Sequence, residues 1–147
     1  MAEPVFTKEH LAKMIDLCIE DINTGGSKLF DLAHLFHCLG EIANKSVYDS
    51  FASILGSFGG EIITFRPYVM LPILPEETRS KFQRIFNEAI DSCKRSLRII
   101  KEELCEKDSY DPNRILEALS LIGKHDYTLT EARTNLMRIR SSLSEGE

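Results

Sequence analysis

Residues 31–41 read DLAHLFHCLGE and bring Asp31, His34, His37, Cys38 and Glu41 within about three helical turns. Imidazole, thiolate and carboxylate are the donor types that zinc takes. His34 and Cys38 stand four residues apart, as do His37 and Glu41, the spacing that stacks side chains on one helix face. On a wheel at roughly 100° per residue, all of them fall with Phe30 opposite the arc of Leu29, Leu32, Ala33, Leu35, Phe36, Leu39, Ile42 and Ala43. One helix comfortably offers two ligands, whereas a closed zinc site takes four. The remaining histidines, His10 and His125, are isolated, and no H-E-x-x-H, E-x-x-H or C-x-x-C motif supplies a second half. The first expectation is therefore no metal and no cofactor, with Phe30, His34 and His37 as a patch for another protein and Phe30 as its anchor. The alternative is a zinc-binding bundle that uses His34, His37, Cys38 and Glu41.

Other chemistry is thinner. Cys18 and Cys93 fall on apolar stripes, and with Cys38 and Cys105 they read as free thiols of a reduced compartment. No G-x-S-x-G, P-loop or glycine-rich dinucleotide fingerprint occurs, so the reading is non-enzymatic. Tyr48, Asp49 and Arg66 stand near the segment 59–75 and could line a pocket there, but nothing links them chemically. Lys94, Arg98 and Lys101 share a face, but Glu76, Glu77, Glu88, Asp91, Glu102, Glu103 and Glu106 offset the cations of that segment. The stretches EIANKSVYDSFASIL and YTLTEARTNLMRI carry a faint helix-turn-helix pattern without the usual turn glycine. A nucleic-acid-associated regulator is a second alternative, disfavoured by a net charge of −5. That charge is compatible with a basic protein partner, and self-association is left open.

The elements that must position these groups follow from periodicity. Length and composition fit one domain over 1–147, ordered over about 7–143. Leu11, Met14, Ile15, Cys18 and Ile22 make one helical face, capped by Thr7 and stopped by Gly25-Gly26. A second helix runs from Ser27 to about Asn44. A third starts at Ser46, with stripe Val47, Phe51, Ile54, Leu55 and Phe58, and ends at Gly59-Gly60. A long helix runs from Pro75 to about Glu106. A short one spans Pro112 to Gly123, and the last begins at a T-x-x-E box, Thr128 and Glu131. No apolar run approaches the roughly 20 residues of a membrane span, and MAEPVFTKEH lacks the pattern of a secretory signal. The expected location is the cytoplasm.

The segment GGEIITFRPYVMLPILP, residues 59–75, is read as a long apolar loop because its prolines restrict it to extended or turn geometry. It either crosses the bundle or docks on another protein, with Phe65, Tyr68, Met70 and Ile73 as contacts. The expectation is thus an all-α, single-domain bundle of about six helices with one apolar, proline-containing crossover loop. Its expected function is that of a protein-binding module: an inhibitor, immunity-type protein, adaptor or accessory subunit.

Overall fold

The computed structural model describes residues 8–43, 46–69 and 74–145. Over these the chain is all-helical, with no strand among the described residues. Five α-helices follow in order: α1 Lys8–Asp21, α2 Lys28–Ala43, α3 Ser46–Val69, α4 Glu76–Lys101 and α5 Pro112–Glu145. A π-helical turn, Glu102–Glu106, extends α4. The expected cap Thr7 and the apolar residues 70–73, including Met70 and Ile73, lie outside the described residues.

Two expectations are corrected here. Residues 59–69 are not loop: α3 continues through Gly59, Gly60 and Pro67 to Val69. The reason is phase. Phe51, Leu55, Phe58, Ile62, Phe65 and Val69 recur at alternating four- and three-residue steps, and all are buried. Pro67 removes one amide donor, to the Ile63 carbonyl, within a turn of the helix end, and both residues are exposed to water. The two final helices are also one. Ile115, Ala118, Ile122, Leu129, Ala132 and Leu136 form a buried stripe that keeps its phase past Gly123. Thr128 caps nothing; its hydroxyl donates back to the Lys124 carbonyl at 3.0 Å, inside the helix.

Glycine at Gly59 serves packing rather than termination. A Cβ there would stand 3.2 Å from the Leu29 Cβ and 3.5 Å from Phe30 Cε1, so α2 lies directly against it. Gly26, at φ 116°, makes the turn into α2 and touches Ile62 and Ile63. Since Gly26 meets Ile62 while Leu29 meets Gly59, α2 and α3 run antiparallel. Asp21 links α1 to α2 by accepting the amides of Gly26 and Lys28, each at 3.0 Å. Arg66, on the stretch once read as loop, donates to the carbonyls of Ile22 at 2.7 Å and Asn23 at 3.1 Å. It thereby satisfies the end of α1 from α3 and lies 5.0 Å from the centre of the Phe86 ring of α4.

Helix α4 packs on α1, α3 and α5. At its end Glu103 is 1% exposed. Lys107 Nζ donates to it at 2.6 Å and the Asp111 amide at 2.8 Å. These bonds, the lysine first, hold its carboxyl below the ordinary carboxylate range and tie the π turn to the start of α5.

The helical reading of 59–69 separates three substitutions in urea denaturation. Gly60→Ala, whose Cβ meets nothing within 4 Å, raises stability by about 0.5–1 kcal/mol, the ordinary gain of alanine over glycine inside a helix. Gly59→Ala yields no such gain, because Leu29 or Phe30 must move. Phe65→Ala removes a fully buried ring and lowers stability by about 3–5 kcal/mol.

Candidate functional site

Helix α2 buries Leu29, Leu32, Ala33, Leu35 and Phe36 against α1 and α3, which fixes its opposite side outward. Asp31, His34, His37 and Glu41 are exposed there and Cys38 is half-buried. His34 Nε2 and Cys38 Sγ are 3.8 Å apart, and His37 Nε2 and Glu41 Oε1 are 3.3 Å apart. Asp31 pairs with Lys28 at 3.7 Å. The donors thus form two separate pairs one turn long. No group of three or more His, Cys, Asp or Glu side chains placed to hold one metal occurs among the described residues.

Phe30 shares this face and is 42% exposed. Its ring lies across the seam onto Gly59 of α3. One turn further along α3, Ile63 meets Gly26, in the turn that leads into α2. Ile63 is 40% exposed. Two large apolar side chains therefore flank the same interhelical seam on its outer side, a turn apart. Sequence reasoning did not pair Ile63 with Phe30 because it placed Ile63 in a loop.

The other expected contacts are distributed differently. Phe65 lies in the core, 5.5 Å from Phe86 and nearly parallel to it, so it is unavailable to a partner. Tyr68 is half-buried and packs against the same core. Tyr48 stacks on Phe36 at the start of α3, whereas Arg66 caps α1 from its far end, so these residues and Asp49 share no pocket. On the long helix, Lys101 is bound by Asp16 at 2.9 Å. Arg98 and Lys101 line a shallow groove of about 580 Å³ with Asp16, Glu20, Glu102 and Glu106, a surface of mixed sign.

All four cysteines are free. Cys18 donates to the Lys28 carbonyl at 3.1 Å, and burial pushes its thiol up to about 12. Burial also raises Cys93, and raises Cys105 to about 11. Cys18, Cys93 and Cys105 thus stay protonated at neutral pH and are poor nucleophiles.

Polar ties between helices were not anticipated. On α3, Ser57 donates to both carboxylate oxygens of Asp126, at 3.2 and 3.0 Å. Arg133 of α5 makes a two-pronged bond to Glu61, at 3.0 and 3.2 Å. Between α4 and α5, Ser96 donates to the Ala118 carbonyl at 2.7 Å, and Ser92 Oγ lies 2.9 Å from His125 Nε2. His125 occupies the vacant step between Ile122 and Leu129 in the buried stripe of α5, so this imidazole is a packing group bonded to a buried serine. The available signal was polar residues at apolar phase: Ser92 and Ser96 on α4, His125 on α5.

Comparison with protein families, curated proteins and solved structures finds no match to this chain. No described helix is long and apolar enough to cross a membrane.

Burial, followed by the nearby charge of Lys124, holds the His125 pKa below its ordinary value of about 6.5. The unfolded chain therefore binds the proton more readily than the folded one. Stability from this group is complete above about pH 6.5 and is lost as pH falls through the lower folded value. His125→Gln keeps a side chain able to bond Ser92 but does not titrate. Its unfolding free energy, followed by urea denaturation from pH 7 to pH 5, falls less than that of the wild type.

Proposed function

We propose that this chain is a non-enzymatic protein-binding module whose contact face is the outer side of the α2–α3 hairpin. The observation that supports the reading is the exposed pair Phe30 and Ile63, held on either side of one seam by the close approach at Gly59 and Gly26. Aromatic and large aliphatic side chains supply most of the energy at interfaces, provided a surrounding ring of contacts excludes water. His34, His37, Asp31 and Glu41 form the polar margin on the α2 side. The face is preorganised, since α2 is fixed by α1 and α3 behind it. A partner that fits carries an apolar concavity for the pair and basic groups at its rim to meet Asp31 and Glu41. The net charge of −5 favours the encounter with such a surface.

The test is affinity capture from the source cells in buffer containing EDTA, quantified by mass spectrometry. A polypeptide retained by the wild type is lost with Phe30→Glu and with Ile63→Glu. It is kept by Leu116→Glu, which changes an exposed leucine on α5. Helical content by circular dichroism stays the same in all three. Capture that survives both hairpin variants, or fails equally with the α5 variant, refutes the proposed face.

A further inference from the structure

We propose that His34 and Cys38 are one half of a bridging zinc site, completed by the same pair from a second copy of this chain. The inference rests on donor geometry and not on the apolar pair, and it shares with the preceding reading only His34 at the margin of that face.

The argument begins with distance. Zinc binds imidazole nitrogen at about 2.05 Å and thiolate sulfur at about 2.3 Å in tetrahedral geometry. Those lengths set the two donors of one ion about 3.5 Å apart. His34 Nε2 and Cys38 Sγ are 3.8 Å apart, so side-chain rotations that close the gap by a few tenths of an ångström bring both onto one ion. Without metal the thiol and the imidazole make a weak hydrogen bond at that distance. With metal, the thiol proton leaves to solvent and Sγ and Nε2 both turn their lone pairs on the ion.

Access is the second point. His34 stands diametrically opposite the buried arc of α2, at the outermost line of the helix, and neither α1 nor α3 covers it. No third donor of this chain joins the pair among the described residues. A two-donor site on a convex face therefore needs its remaining ligands from outside the chain. A two-fold axis through the ion supplies them without any new residue type, giving two histidines and two cysteines, a common closed zinc set. Two such thiolates cancel the charge of the ion, so the closed site adds no net charge to the paired chains, each at −5. His37 Nε2 lies 3.3 Å from Glu41 Oε1 and stays outside the site.

The experiment uses the full chain purified with EDTA and a non-thiol reductant. Zinc alone is then titrated in, with mass read by sedimentation velocity. The expected result is a monomer in EDTA that doubles in mass on adding zinc and saturates at one ion per two chains. His34→Ala and Cys38→Ser remain monomeric at the same zinc level, whereas His37→Ala dimerises as the wild type does. Cobalt in place of zinc gives a thiolate-to-metal charge-transfer band that Cys38→Ser abolishes. Circular dichroism establishes that each variant folds. The proposal is overturned by a dimer that persists in EDTA, by a zinc-loaded monomer, by no response to zinc, or by zinc-driven pairing that survives His34→Ala.

Discussion

The close approach of α2 and α3 governs the arrangement of this protein. The two helices meet where one of them lacks a side chain: Leu29 and the ring of Phe30 lie on Gly59, and Ile62 and Ile63 lie on Gly26. A Cβ at Gly59 would stand 3.2 Å from the Leu29 Cβ, so Leu29 would have to give by a few tenths of an ångström. Contact this tight carries two consequences. It brings the buried rings of Phe36 and Phe51 to 5.4 Å and the rest of the two apolar stripes into one core. It also sets Phe30 beside Gly59 and Ile63 beside Gly26, where both side chains are exposed. The exposed apolar pair is thus a product of the same packing that stabilises the hairpin.

Long α3 then sets the positions of the other elements. Its last turns carry Phe65 onto Phe82 and Phe86 of α4, and Arg66 onto the carbonyl end of α1. Its middle turns carry Ser57 and Glu61 to Asp126 and Arg133 of α5. Apolar stripes alone tolerate sliding by a turn, since one leucine replaces another at modest loss. Directed bonds do not, because a shift strands a partly buried charge or hydroxyl without its partner. Glu103 acts the same way at the far end of α4, where its buried carboxylate accepts from Lys107 and from the first residues leading into α5. Register between helices is held by these few polar bonds, and bulk stability by the stripes.

Much of this was legible in the sequence, and the failures share one cause. The bounds of α1 and α2, the start of α4 with its acidic first turn, and the outward grouping of His34, His37 and Cys38 all follow from periodicity and charge. Gly59-Gly60, Pro67, Gly123 and the T-x-x-E box were read as punctuation, yet the apolar phase runs unbroken across each of them. Glycine and proline weaken a helix by roughly 1–3 kcal/mol. A continuous buried stripe outweighs that, since each large side chain fully buried returns about 1.5–3 kcal/mol. Phase was the stronger signal, and reading it would have placed Phe65 inside and Ile63 outside. The Ser92–His125 and Ser57–Asp126 bonds were less accessible, because pairing across helices depends on a register that a single chain does not display.

The outer face of α2 shows how one spacing serves two kinds of chemistry. Side chains four residues apart on a helix meet whether they are an ion pair or two ligands. His37 with Glu41 and His34 with Cys38 are separated by 3.3 and 3.8 Å on the same helix, so spacing alone does not distinguish them. Valence does. An imidazole with a carboxylate forms a complete pair as protonation allows, and its groups are satisfied in water. An imidazole with a thiol makes only a weak bond, but once the thiol proton is lost it becomes a soft, two-donor clamp. Because α2 is braced from behind by α1 and α3, that clamp is held at nearly the separation an ion requires, and ligation demands rotation of side chains rather than movement of the helix.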